Sequence, residues 1–112
     1  PNLSGGIRVG DMLYASGQLG VGGQNPDTTI EGQTKAALEN TKAVMVAGGT
    51  TMENVDKCTV YLVKYEDLQG MNRAYREYFP KDPPARSTVI VAALVSNGAK
   101  VEIECMAVVP KS

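Results

Sequence analysis

An arginine at the start of an apolar run has the surroundings of an anion-binding group. Arg86 follows Pro83-Pro84-Ala85 and opens the run Ser87-Thr88-Val89-Ile90-Val91. A guanidinium is costly to bury, and its planar donors match a carboxylate in a bidentate pair. Because the first residues of a strand are held rigidly by the sheet, Arg86 could point its side chain at a fixed site for a substrate carboxylate. The alternative is a surface arginine in an ordinary salt bridge.

Two carboxylates alternate with apolar residues near the end of the chain. In Val101-Glu102-Ile103-Glu104 the alternation predicts a strand, so Glu102 and Glu104 share one face. A carboxylate held on a strand can act as a general base toward a bound water. The alternative for both glutamates is a solvated face, which is the commoner fate of such a pattern.

Several kinds of chemistry are excluded by missing residues. The 112 residues contain no histidine, so Ser–His and Cys–His pairs and His-ligated metal sites cannot form within one chain. The glycine-rich segment 17–23 lacks the lysine of a phosphate-binding loop and is predicted to be a loop. The net charge is −1 and the 11 Lys and Arg residues are scattered, which argues against a nucleic-acid partner. No cofactor and no metal are predicted.

The two cysteines, Cys58 and Cys105, lie in predicted strands without CxxC spacing. We expect both to be reduced, buried, apolar core residues, with a disulfide or a redox sensor as the alternative. No apolar run approaches the roughly 20 residues of a membrane span. The predicted location is therefore cytoplasmic. A mitochondrial or other organelle location stays open because the chain starts at Pro1.

The elements that would position these residues follow the order ββαβαββ in a single domain over residues 1–112. Hydrophobic periodicity and turn residues give the boundaries. The predicted strands are 7–9, 12–16, 57–64, 86–94 and 100–109, and the predicted helices are 31–47 and 66–78. Residues 19–29 are predicted to be a loop, and the last two strands to be joined by a turn at 96–98.

An apolar run predicts self-assembly. Residues 89–95 are apolar at every position, which is typical of a strand buried on both faces. Two helices can cover only one face of the predicted sheet. Since monomers rarely leave large apolar areas exposed, we expect an oligomer.

Four segments, in this order along the chain, resemble the RidA (YjgF) family of imine/enamine deaminases. They are Tyr14-Ala15-Ser16-Gly17-Gln18, Met71-Asn72-Arg73-Ala74-Tyr75, Pro84-Ala85-Arg86-Ser87 with the strand after it, and Val101-Glu102-Ile103-Glu104. The resemblance implies a chorismate-mutase-like α+β fold, with a mixed sheet carrying two helices on one face. It also implies a homotrimer packed through its sheets, with ligand sites between neighbouring subunits.

The resemblance implies a site and an activity. The site residues would be Ser16, Gly17, Asn72, Arg86 and Glu102. Arg86 would hold a substrate carboxylate, Glu102 would be the catalytic base, and Ser16, Gly17 and Asn72 would bind polar groups of the substrate. The activity implied is the hydrolysis of reactive 2-imino or enamine acids to 2-keto acids and ammonia, in metabolite damage control. The alternatives are a ribonuclease or translation inhibitor, and a non-catalytic trimer that binds small carboxylates or stabilises proteins.

One segment departs from the family pattern. Members commonly carry Gly-Pro-Tyr-Ser-Gln-Ala before the first strand, and that tyrosine lines the ligand cleft. Residues 1–6 of this chain read Pro-Asn-Leu-Ser-Gly-Gly, so Leu3 occupies the tyrosine position. The loss of an aromatic hydroxyl there predicts an altered substrate preference or activity.

Overall fold

The computed structural model describes residues 2–21 and 27–111. Within these ranges six strands and two α-helices follow one another. The strands are β1 (Gly6–Val9), β2 (Met12–Ala15), β3 (Gln18–Leu19), β4 (Val55–Leu62), β5 (Ala85–Ile90) and β6 (Val101–Val108). The helices are α1 (Ile30–Ala47) and α2 (Leu68–Tyr78), and short 3-10 turns at Met52–Asn54 and Tyr65–Asp67 precede β4 and α2.

The described strands form one mixed sheet in the order β1-β2-β6-β4-β5, with β3 also paired to β6. Strands β4 and β5 are parallel, whereas the other pairs are antiparallel. Strand β6 is the centre of the sheet because it pairs with β2, β3 and β4. The predicted α+β class and mixed sheet are therefore confirmed.

One feature of the predicted strand arrangement is wrong. Strand β3 lies partly in the predicted loop 19–29, of which residues 22–26 fall outside the described residues. A two-residue strand is too short to show periodicity, so no sequence pattern predicts it. A turn does lie before β6, where Gly98 has a φ of 81°. Strands β5 and β6, however, do not pair with each other, because β4 lies between them.

Local sequence explains both helices. The Thr29 side chain caps α1 by accepting a hydrogen bond of 3.0 Å from the Gly32 amide. The helix ends at Gly48-Gly49, where Gly49 has a φ of 92° that favours glycine. The predicted apolar stripes face the sheet, and their fully buried members include Leu38, Met45 and Met71. Among the described residues, no helix is long and apolar enough to cross a membrane.

The core lies between the helices and one face of the sheet. Alternate residues of the central strands point into it, and Val60, Leu62, Val101 and Ile103 are fully buried. Burial of each such side chain contributes about 1.5–3 kcal/mol. The same alternation sends Glu102 and Glu104 to the opposite face, as the sequence predicts.

Cys58 and Cys105 form a disulfide, so the prediction of reduced thiols is wrong. The two residues face each other across β4 and β6, with their Cα atoms 4.1 Å apart. They are 47 positions apart in the sequence, and only the pairing of these strands brings them together. Their predicted burial is confirmed. Because disulfides are rare in the reducing cytosol, this bond does not support the predicted cytoplasmic location.

The disulfide predicts a simple thiol count. Protein unfolded in guanidinium without reductant should show no thiol that reacts with a colorimetric thiol reagent. After reduction the same sample should show two thiols per chain, because the chain has two cysteines. Two reactive thiols before reduction would contradict the bond.

The sheet face turned away from the helices, called here the open face, carries exposed apolar side chains. Ile7, Val9, Tyr14, Val89 and Val108 are 41–61% exposed. Strand register places all of them on the face of Glu102. The predicted strand over residues 86–94 is too long, whereas the exposure of Val89 agrees with the expectation that one face of the sheet is uncovered in a single chain. Strand β5 ends at Ile90 and lies at the sheet edge, where it has only one neighbouring strand.

Candidate functional site

Arg86 is held by α2 at the edge of the sheet. Its register partner is Cys58, so its side chain lies on the helix side. The guanidinium carbon is 4.8 Å from the centre of the Tyr75 ring, and Nη1 is 3.9 Å from the Met71 sulfur. In residues 2–21 and 27–111, no carboxylate pairs with Arg86. The salt-bridge alternative is therefore not found there, and the cation is oriented by an aromatic ring and a sulfur without a carboxylate partner among these residues.

A cavity of about 300 Å³ lies beside this guanidinium. It is lined by Asn72, Tyr75, Arg76, Phe79, Pro83, Pro84 and Arg86, a set called here the arginine half-site. Most of the wall is apolar, with a few polar groups, as is typical of small-molecule sites. Burial raises the pKa of the Tyr75 hydroxyl, and the Arg86 charge opposes this rise only in part. Tyr75 therefore stays neutral near pH 7.

Glu102 lies on the open face and is in contact with Gly17. A Cβ atom added to Gly17 would be 2.1 Å from Glu102 Oε2. Any side chain at position 17 would thus displace the carboxylate. We call Gly17 and Glu102 the glutamate half-site. Strand β3 positions Gly17, because its residue Leu19 pairs directly with Glu102.

The second glutamate of the strand is engaged by a tyrosine. The Tyr61 hydroxyl donates a hydrogen bond to Glu104 Oε1. This bond, followed by burial and the charges of Glu104 and Glu102, raises the pKa of Tyr61. The nearby Lys57 ammonium donates to Ser87 Oγ at 3.0 Å. Glu104 is therefore held in place, whereas Glu102 receives no side-chain hydrogen bond within the described part of the chain.

Ser16 connects the N-terminal segment to the glutamate half-site. Its hydroxyl donates to the Ser4 carbonyl at 2.6 Å, and its amide donates to the Gly5 carbonyl at 2.8 Å. The hydroxyl proton is thus engaged, so only the oxygen remains to accept a bond from a ligand. Leu3 precedes this contact and is 72% exposed.

Four of the five residues suggested by the sequence fall into two groups on opposite faces of the sheet, and the fifth, Ser16, precedes Gly17 in the chain. Arg86 and Asn72 lie on the helix side, whereas Gly17 and Glu102 lie together on the open side. Side chains on opposite faces of a sheet point away from each other. A small ligand bound to Arg86 is therefore separated by the sheet from Glu102 of the same chain.

Sequence reasoning missed four contributions to these half-sites. The first three are Tyr75, Arg76 and Phe79, which line the cavity beside Asn72. Their spacing of three, four and seven residues from Asn72 is a helical signal that could have found them. The fourth is the bond from Tyr61 to Glu104, which depends on the pairing of β4 with β6 and has no local signal.

The fold and the half-sites define a small α+β protein with an oriented arginine at the edge of its sheet, which pairs with no carboxylate of the described residues. A family model described as Endoribonuclease L-PSP matches residues 2–109. The chain belongs to this family, and the resemblance to RidA proteins is confirmed.

Individual relatives carry deaminase names or a bound ligand. The chloroplastic Reactive Intermediate Deaminase A of Arabidopsis thaliana is 38% identical over 104 residues, covering 90% of this chain and 55% of that protein. The 2-iminobutanoate/2-iminopropanoate deaminase of Dermatophagoides farinae is 36% identical over 106 residues, covering 92% and 82%. The crystal structure of Escherichia coli TdcF with bound serine is similar, with a TM-score of 0.88 and 33% identity, covering 96% and 88%.

Proposed function

We propose that the chain is a hydrolase that converts reactive 2-imino acids to 2-keto acids and ammonia. The observation that carries this proposal is the Arg86 guanidinium, which is oriented by Tyr75 and Met71 without a carboxylate partner in the described residues. The names of two relatives, a reactive intermediate deaminase and a 2-iminobutanoate/2-iminopropanoate deaminase, support the reaction type. A cytoplasmic location remains a proposal, since one of these relatives is named as chloroplastic.

In this proposal Arg86 holds the substrate. Its two parallel N–H groups pair with the carboxylate of the 2-imino acid and fix the neighbouring imine carbon. Asn72, on the wall of the same cavity, supplies a further amide to the polar end of the substrate. The Arg86 charge neutralises the carboxylate. The carbon of the N-protonated imine beside it thereby becomes more electrophilic toward water.

Glu102 acts on the water. Its carboxylate accepts a proton as the water oxygen forms a bond to the imine carbon. The resulting amino alcohol takes that proton from Glu102 on its nitrogen. The regenerated carboxylate then removes the hydroxyl proton as the carbonyl of the keto acid forms, the carbon–nitrogen bond breaks and ammonia leaves. Glu102 finally gives this proton to the departing ammonia. Gly17 leaves room for this carboxylate because a side chain there would collide with it.

Two copies of the chain are needed to complete the site. The arginine half-site of one subunit would face the glutamate half-site of its neighbour, since the two lie on opposite faces of one sheet. The exposed apolar residues around Tyr14 and Val108 on the open face give the surface through which sheets would pack. We propose a homotrimer, the assembly implied by the family resemblance.

The assembly predicts a mass. Sedimentation equilibrium at micromolar concentration should give three times the mass of one chain. Val108→Lys, which places a charge on the open face opposite Met12 of β2, should shift the protein toward monomer and reduce ammonia release. Lys111→Ala, an exposed change outside the sheet, should leave the trimer intact. A parent protein that sediments as a monomer would contradict the shared site.

A second candidate is a trimer that binds small carboxylates without turnover. It is favoured by Leu3, which carries no hydroxyl and is exposed, and by the serine bound in the TdcF structure. The deciding experiment supplies 2-iminobutanoate generated in situ and measures the acceleration of ammonia release over the spontaneous rate. Binding of 2-oxobutanoate without any acceleration would support the binder and contradict the hydrolase.

A further inference from the structure

A second arginine lines the same cavity as Arg86. Arg76 follows Asn72 by four residues on α2, so the two side chains lie on one face of the helix. Two cations that share a cavity repel each other, and a bound anion between them relieves this repulsion. The cavity therefore has more positive charge than a single carboxylate neutralises.

Two acidic residues on or against α2 are engaged by other cations. Glu77 pairs with Lys35 at 3.4 Å, and Glu31 pairs with Arg73 at 2.7 Å. These are the salt bridges found within residues 2–21 and 27–111, and neither includes Arg76 or Arg86. A structural role for Arg76 exists, because a cation in the last turn of a helix interacts favourably with the helix dipole. That role does not require Arg76 to line the cavity.

The wall of this cavity also offers apolar surface to an aliphatic chain. Phe79, Pro83 and Pro84 contribute apolar surface to the same cavity. A ligand with an anionic group at each end and methylene groups between them would place each charge on an arginine and its carbon chain on this wall.

We propose that Arg76 makes the site selective for 2-imino acids whose side chain ends in a second carboxylate. This inference rests on the proposed function, in which Arg86 binds the first carboxylate. Arg76 is then a specificity-determining residue: it binds the distal carboxylate and does not take part in the hydrolysis. The 2-keto dicarboxylate formed from such a substrate should bind by the same two contacts.

Binding of two keto acids to the assembled protein tests the proposal without any need for turnover. The probes are 2-oxoglutarate and 2-oxopentanoate, which have the same chain length and differ by the terminal carboxylate. Isothermal titration at low salt should show tighter binding of 2-oxoglutarate to the parent protein. Arg76→Gln should weaken 2-oxoglutarate binding by about fivefold, the upper range for an exposed ion pair, and leave 2-oxopentanoate binding unchanged.

Arg73→Gln is the matched control. It makes the same change on the same helix, but Arg73 pairs with Glu31 and does not line the cavity. It should alter neither affinity. Equal affinities of the parent for the two keto acids, or an Arg76→Gln variant that keeps the preference, would overturn the inference.

Arg86→Ala separates the two proposals. If Arg86→Ala weakens the binding of both keto acids, while Arg76→Gln does not weaken 2-oxoglutarate binding selectively, the proposed function stands and only the proposed selectivity fails. If Arg86→Ala weakens the binding of neither keto acid, or if the parent protein binds neither, the proposed function fails and the inference fails with it.

Discussion

Arg86→Ala should lower kcat/KM for 2-imino acid hydrolysis by about a hundredfold or more. The variant loses a bidentate, partly desolvated contact with the substrate carboxylate, which contributes on the order of 3 kcal/mol. Arg86→Lys should recover little, because an ammonium cannot reproduce the planar fork. Ammonia release from imines generated in situ, measured over a range of substrate concentrations, gives kcat/KM for each variant.

The fold should survive this substitution. Arg86 opens an edge strand and contacts α2 through Tyr75 and Met71, outside the fully buried core. We expect Arg86→Ala to keep the parent mass in sedimentation and most of its thermal stability. Arg73→Ala is the matched control, since that arginine pairs with Glu31 on the surface. Hydrolysis at the parent rate by folded Arg86→Ala would place the site elsewhere.

Glu102→Gln should slow turnover by about a hundredfold to ten-thousandfold, the range typical of a lost general base. The amide keeps the shape of the side chain against Gly17 but cannot accept the proton of the attacking water. Binding of 2-oxobutanoate should therefore stay close to that of the parent. The comparison requires kcat from ammonia release and Kd from titration of the keto acid on the same preparation.

Glu104→Gln provides the control for Glu102. It makes the same change two residues further along the same face, where the carboxylate accepts a bond from Tyr61. We expect it to retain most of the turnover. If Glu104→Gln is as slow as Glu102→Gln, the base assignment is wrong and a general loss of negative charge on the open face explains both.

Because the proposed site is shared, inactive variants should complement each other. Mixed trimers of Arg86→Ala and Glu102→Gln chains contain some interfaces that pair an intact arginine half-site with an intact glutamate half-site. Such mixtures should regain part of the activity that each variant lacks alone. This result would separate a shared site from two independent sites on each chain.

Local structure was predictable because its causes are local. The boundaries of α1 follow from Thr29 at its start and Gly48-Gly49 at its end, and its buried face follows from a period near 3.6. The alternation in β6 placed Glu102 away from the core in the same way. The position of Arg86 at the start of a strand could also be predicted, because prolines precede it and β-forming residues follow it.

The tertiary structure alone decided which strands are neighbours and what each site residue contacts. The sequence joins β5 to β6 by a turn, yet β4 lies between them, and this order brings Cys58 opposite Cys105. The same order places Arg86 and Glu102 on opposite faces of the sheet, a separation within one chain that no local pattern predicts. Pairing between strands far apart in the chain depends on how the whole sheet buries its apolar face, and no local pattern encodes that.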